Sequence, residues 1–126
     1  MQRILLVDND SSFRAVYANS LSHDGFEVKE ADDARAALAL LEAGEFDAVI
    51  SEVLLPGRNG LGLIQDIRLI PRHLTLPVIL LTTLEAADVG IPTSLAQSLG
   101  VKAYLVKQHT RPAQLSNALR ALLPTS

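Results

Sequence analysis

Residues 48–57 read AVISEVLLPG. A short apolar run at 48–51 is followed by a single acid, Glu52, and then by a Pro-Gly turn at Pro56 and Gly57. A run this short and this apolar suits a parallel strand covered on both faces. Three more runs of the same kind stand at 4–7 (ILLV), 78–82 (VILLT) and 103–106 (AYLV). A fifth segment, FEVKE at 26–30, alternates, with Phe26 and Val28 on one side and Glu27 and Lys29 on the other. That pattern predicts an edge strand with one face partly wet.

Helical patterns separate these strands. Phe13, Val16, Tyr17 and Leu21 are predicted to share a face behind the N-caps Ser11 and Ser12. Ala34, Ala37, Leu38 and Leu41 form a second stripe, ended by Gly44. Leu63, Ile64, Ile67 and Ile70 form a third, in a helix that starts near Gly60 and stops at Pro71. Leu115, Ala118, Leu119 and Leu122 form the last, stopped by Pro124. These are 3.6-residue stripes with capping and breaking residues at their ends. The stretch 85–99, broken by Gly90 and Pro92, predicts a loop and then a short helix beginning near Pro92. Alternation of strand and helix without repeats or linkers predicts one α/β domain over 1–126. Its five-stranded sheet is parallel and doubly wound, with right-handed crossovers.

Composition narrows the function. A chain of 126 residues is the size of one domain with a real core. A net charge of −3 gives no basic footprint for nucleic acid. No cysteine is present, which excludes disulfides, thiolate nucleophiles and zinc–thiolate sites. His23, His73 and His109 are scattered without metal-ligand spacing and are expected at the surface. No apolar run approaches the ~18 residues of a membrane span, and MQRILLVD turns acidic too early for a signal peptide. A soluble, cytoplasmic protein is the expectation. The glycine-rich PGRNGLG at 56–62 lacks the Gly-Lys-Ser/Thr ending of a phosphate loop and reads as a turn into a helix. Asp47 reads as a turn residue, and Arg111 and Arg120 as solvated charges on the last helix.

In open parallel sheets function gathers at the carboxyl ends of the strands. Asp8, Asn9 and Asp10 follow the first strand and Glu52 the third; the fourth ends at Thr82 and Thr83, and the fifth at Lys107. Acids, a hydroxyl and one lysine therefore converge on one edge.

In ILLVDND, DAVISEVLLPGRNGLGLIQDIR, LPVILLTT and GVKAYLVK the chain resembles the receiver domains of two-component response regulators, over essentially its full length. The resemblance implies a flavodoxin-like fold with strand order 2-1-3-4-5. It also implies phosphoryl transfer from a histidine kinase to an aspartate after the third strand, with Mg²⁺ held by that residue and two acids after the first strand. Position by position, Asp8 and Asn9 fall on the acid pair and Glu52 on the phosphoacceptor. Thr82 and Lys107 fall on the phosphoryl contacts, and Leu54 on the residue whose backbone carbonyl completes the metal shell. Tyr104 falls on the aromatic position that turns inward on activation; ordinary packing is its alternative reading.

Three positions depart from that pattern. Asn9 replaces an aspartate, Glu52 replaces the acceptor aspartate, and Gln108 replaces the proline whose peptide bond is usually cis. A cis bond before a non-proline residue costs ~2.5–4 kcal/mol, so a trans bond and a shifted Lys107 are expected. Mg²⁺ prefers hard, anionic oxygens, and Asn9 brings no charge, so Asp8, Asn9, Glu52 and Leu54 are expected to form a vestigial, weak Mg²⁺ position and no other cofactor is expected. Asp10 is expected to point away. A glutamate oxygen lies ~1.5 Å further out than an aspartate oxygen, about one carbon–carbon bond, and misplacements of ~1 Å cost ~10²-fold in rate.

The expectation is an atypical receiver, a pseudo-receiver, that is not an enzyme and acts by protein binding without aspartyl phosphorylation. Its Glu52 either holds Thr82 and Tyr104 in an active-like arrangement or belongs to an inert scaffold. The expected partners are a histidine kinase, an output domain or another signalling protein. A homodimer through the face of the fourth helix, fifth strand and fifth helix is the further expectation, with no nucleic acid and no membrane. The rivals are a phosphoacceptor with residual Mg²⁺-dependent activity and an unrelated small α/β nucleotide binder.

Overall fold

The short apolar runs pair into one parallel sheet in the computed structural model, which describes residues 1–83 and 93–124. The strands are β1 (Arg3–Val7), β2 (Glu27–Ala31), β3 (Ala48–Ser51), β4 (Val78–Thr82) and β5 (Val101–Val106), in the order β2-β1-β3-β4-β5. The helices are α1 (Ser11–His23), α2 (Ala34–Ala43), α3 (Gly60–Ile67), α4 (Thr93–Ser98) and α5 (Pro112–Leu122). Single 3-10 turns lie at Pro71–His73 and Lys107–His109.

Alternation along the strands sends side chains to two apolar layers. Leu5, Val7, Val49, Val78 and Leu80 meet Ala37, Leu41, Leu63, Ile64 and Ile67 of α2 and α3. Ile4, Leu6, Ile50, Ile79 and Leu81 meet Tyr17, Leu21, Leu115 and Leu119 of α1 and α5. Both faces of β3 and β4 are therefore dry, which is why those runs carry no polar alternation. The alternating FEVKE segment supplies the edge strand β2, as its pattern requires.

The β4–β5 pairing carries one irregularity. Val78 pairs with Val101 but Ile79 pairs with Ala103, so Lys102 is an extra residue on β5. A one-residue bulge reverses the facing of everything beyond it. Val101 and Tyr104 consequently join the α2–α3 layer while Ala103 and Leu105 join the α1–α5 layer.

Several local expectations are corrected. The N-cap of α1 is Asp10, whose Oδ1 accepts from the Phe13 amide at 3.0 Å, and Ser11 and Ser12 lie inside the helix. An ionised cap accepts more strongly than a hydroxyl and favours the positive end of the helix dipole. Val16 is 58% exposed, because Ala18 completes the Tyr17–Leu21 stripe and Val16 lies about 100° from Tyr17 around the helix. α3 stops at Ile67, so Ile70 packs on the core from the connecting segment. β5 begins at Val101, ahead of the apolar run itself. The short helix starts at Thr93, next to Pro92 as expected, and the preceding loop expected at 85–92 lies outside the described residues. His73 is 2% exposed rather than at the surface: its Nε2 lies 3.0 Å from Leu41 O and 3.3 Å from Gly44 O, tying the end of α2 to the turn before β4. Arg111 and Arg120 are both exposed, as expected of solvated charges, but Arg111 is the N-cap of α5 rather than within it; Arg120 sits over the Phe26 ring and donates to Asp24 O at 3.2 Å.

Candidate functional site

The strand order reverses between β1 and β3, and the crevice beyond their carboxyl ends is where such sheets place their sites. Val7 pairs with Ser51, so the next residues, Asp8 and Glu52, leave the sheet side by side. Their backbones stay tied to it: the Asp8 amide donates to Ala31 O at 3.0 Å and the Glu52 amide to Val7 O at 2.9 Å. Thr82 ends β4 and pairs with Val106, which delivers Lys107 to the same edge. The parallel register alone thus gathers Asp8, Glu52, Thr82 and Lys107.

Asp8, Glu52 and Thr82 are buried, and the Lys107 side chain is 10% exposed. Lys107 Nζ lies 2.7 Å from Asp8 Oδ2 and 2.9 Å from Glu52 Oε2, bridging the two acids. Glu52 Oε1 accepts from the Val53 amide at 2.6 Å, from the Leu54 amide at 3.2 Å and from the Thr82 hydroxyl. Asp8 Oδ1 accepts from the Asp10 amide at 2.9 Å. Burial alone would lower the Lys107 pKa; hydrogen bonds to Asp8 and Glu52, with their charges, outweigh it and hold the ammonium above its ordinary value.

Tyr104 turns its ring toward the α2–α3 layer, and its buried hydroxyl has no hydrogen-bond partner among the described residues. Burial, and then the negative charge of Glu52, push its pKa up. No cis peptide bond occurs among the described residues. Lys107 nonetheless reaches both carboxylates, so the shift expected of it does not take it out of the site. Asn9 and Asp10 are exposed, and Asp10 is turned to the start of α1.

Two residues escaped the sequence reading. Phe13 places its ring 4.3 Å from Lys107 Nζ and stacks on Tyr17 at 4.2 Å, and the Tyr17 hydroxyl donates to Thr110 O. Arg14 donates to Asp8 O and pairs with Glu30 at 3.0 Å, bracing the end of β1. The available signal was an aromatic pair spaced four residues apart at the start of a helix that follows the acids. By periodicity alone that pair reads as a core stripe.

The divalent cation implied by the resemblance does not fit the donors as they stand. Each oxygen of Asp8 and Glu52 already accepts from a protein donor, and Lys107 occupies the space between the two acids. Two carboxylates and one ammonium leave a single negative charge, to which exposed Asn9 adds none. Mg²⁺ sheds water reluctantly and wants near-octahedral anionic oxygens; here it would have to displace a paired ammonium.

The sequence matches the response regulator receiver domain family over residues 4–120, and the chain belongs to that family of signal-transduction proteins. It is similar to chemotaxis protein CheY-3 of Vibrio cholerae, 36% identical over 109 residues, covering 86% of this chain and 82% of that protein. It is also similar to response regulator protein FleR of Pseudomonas aeruginosa, 36% identical over 121 residues, covering 96% of this chain but 24% of the relative. Among solved structures it superposes on chemotaxis response regulator CheY4 of Vibrio cholerae with a TM-score of 0.85 and 29% identity, covering 98% of this chain and 99% of that one. No helix among the described residues is long and apolar enough to cross a membrane.

Proposed function

We propose that this receiver signals by binding other proteins without accepting a phosphoryl group, with Glu52 standing where an aspartyl phosphate would otherwise act. The observation that carries this reading is the double engagement of Glu52: one oxygen takes the Thr82 hydroxyl, the other the Lys107 ammonium. Those are the two side chains that the family resemblance assigns to phosphoryl contacts. With both occupied by the chain's own carboxylate, an incoming phosphoryl group meets neither a free nucleophile nor free donors. Phosphoryl transfer depends on positioning and on neutralising charge around an in-line geometry, and the donor set leaves no ready place for the metal. The inward Thr82 and the buried Tyr104 hydroxyl support a fixed, active-like arrangement over an inert one. The partner in this reading is a histidine kinase, an output domain or another signalling protein, met on the α4–β5–α5 face beside Tyr104, and the chain turns over no substrate.

The test is intact mass after incubation with acetyl phosphate and Mg²⁺. The wild-type chain and the Glu52→Asp variant are expected to stay unmodified, whereas the Asn9→Asp/Glu52→Asp double variant, which restores both acids, gains one phosphoryl mass. A phosphorylated wild-type chain would overturn the reading.

A further inference from the structure

At the end of the sheet opposite Asp8 and Glu52, a cavity of about 390 Å³ opens where β4 and β5 begin. Its walls include Arg68, Leu74, Thr75, Ser98, Gly100 and Lys102, with no carboxylate among the described residues that line it. Such a lining is unusual for a chain whose net charge is −3, because general surface charge does not favour anions here. The fold builds it from three elements. Arg68 caps α3, Ser98 ends α4, and Lys102 is the extra residue that bulges out of β5.

Arg68 is the centre of the cluster. Its Nε donates to Leu99 O at 2.9 Å and its Nη1 to His73 O at 3.0 Å, which fixes the plane of the guanidinium. Nη2 has no acceptor among the described residues. It lies beside Gly100, whose φ of +81° suits glycine and where a Cβ would stand 2.5 Å from Nη2. No carboxylate pairs with Arg68 or Lys102 among the described residues, and burial pushes the Arg68 pKa down. The guanidinium is thus fixed by two carbonyls and by no carboxylate among the described residues, which leaves its charge available to an anion.

We propose that this cavity binds the phosphate group of a small organic phosphate monoester. Two cations match a group carrying about −1.5 to −2 charge at neutral pH. A tetrahedral oxyanion has oxygens for the guanidinium, the ammonium and the Thr75 hydroxyl at once, where a planar carboxylate has fewer. The cavity lies within the roughly 300–1,000 Å³ range of small-molecule sites and exceeds what a bare phosphate needs, and Leu74 offers an apolar wall to an organic remainder. The site is independent of the phosphorylation reading, since it shares no residue with the Asp8–Glu52 edge.

The test is an amide NMR titration of the full chain at constant ionic strength, using glycerol phosphate, inorganic phosphate and sulfate in separate arms. Glycerol phosphate is expected to shift the amides of Thr75, Gly100 and Lys102 saturably, more tightly than inorganic phosphate, with sulfate weakest. Lys102→Gln, at an exposed position that leaves the fold intact, should weaken binding about tenfold, the loss of one charge-assisted hydrogen bond. Arg68→Gln should abolish it; because that variant also loses two backbone anchors, Lys102→Gln and Thr75→Ala decide the matter. Shifts that fail to saturate, equal saturation by inorganic phosphate and the ester, or unchanged binding in Lys102→Gln would each overturn the proposal.

Discussion

At the scale of the residue, Glu52 and Tyr104 hold opposite accounts with the solvent they left. The Glu52 carboxylate is buried yet fully engaged, by the Thr82 hydroxyl, the Val53 and Leu54 amides and the Lys107 ammonium. The Tyr104 hydroxyl is buried without a partner among the described residues. Removing one donor to a buried charge costs about 1.5–3 kcal/mol, while an unmet buried hydroxyl is itself a penalty of about 1–3 kcal/mol. Thr82→Val, nearly isosteric, is therefore expected to lower the stability by about 1.5–3 kcal/mol. Tyr104→Phe is expected to raise it by about 1 kcal/mol. Urea midpoints at an unchanged denaturant slope measure both. Two shifts of the same sign would mean that one of these hydroxyls is assigned the wrong environment.

Elements set the precision with which those residues meet. The loop carrying Glu52 is clamped by the start of α3: the Gly60 amide donates to Val53 O at 2.8 Å, and a Cβ on Gly60 would stand 2.4 Å from Glu52 O. Backbone cannot swing aside, so Gly60→Ala must displace the peptide that aims Glu52. Two residues on, the atoms nearest a Cβ on Gly62 belong to the Arg58 side chain, at 2.9 Å, and that side chain is half exposed. Alanine is favoured over glycine inside a helix by about 1 kcal/mol. Gly60→Ala is expected to destabilise by about 1–3 kcal/mol, as overpacking does, and to move the Glu52, Thr82 and Lys107 amides. Gly62→Ala should stay within about 1 kcal/mol of wild type and leave those amides in place. Denaturation curves and amide spectra of the two variants separate the cases.

Across the whole molecule, the charged cluster at the carboxyl ends of the strands links stability to pH. The folded chain holds the Lys107 proton above the ordinary lysine value of 10.5 and, through burial first, the Tyr17 and Tyr104 protons above the ordinary tyrosine value of 10.0. Above those values the unfolded chain has released protons that the folded chain keeps, so stability falls as pH rises. The contribution is complete below about pH 10 and is lost on the alkaline side, in the direction set by the raised values. Lys107→Met strands two buried carboxylates without their cation and is expected to cost about 3–5 kcal/mol near neutrality. Its further loss on the alkaline side should be shallower than that of wild type, because only the tyrosines still contribute. Urea midpoints followed from about pH 8 to about pH 11 give both slopes.

The sequence by itself determined the alternation of strands and helices, the edge character of FEVKE and the gathering of Asp8, Glu52, Thr82 and Lys107 at one end. Each of these follows from local periodicity and from the rule that parallel strands all present the same end. It also identified Glu52 and Asn9 as departures, since residue type is read directly. Only the tertiary structure decided which oxygen meets which donor, because that depends on sub-ångström spacing between strands distant in sequence. The bulge at Lys102 and the burial of His73 were equally illegible. A single extra residue reverses the facing of Tyr104 without changing the local apolar pattern, and a polar ring is buried only if carbonyls 29 and 32 residues away come within reach of it. Periodicity reports which side of an element is apolar; it holds no information on what the opposing element brings to it.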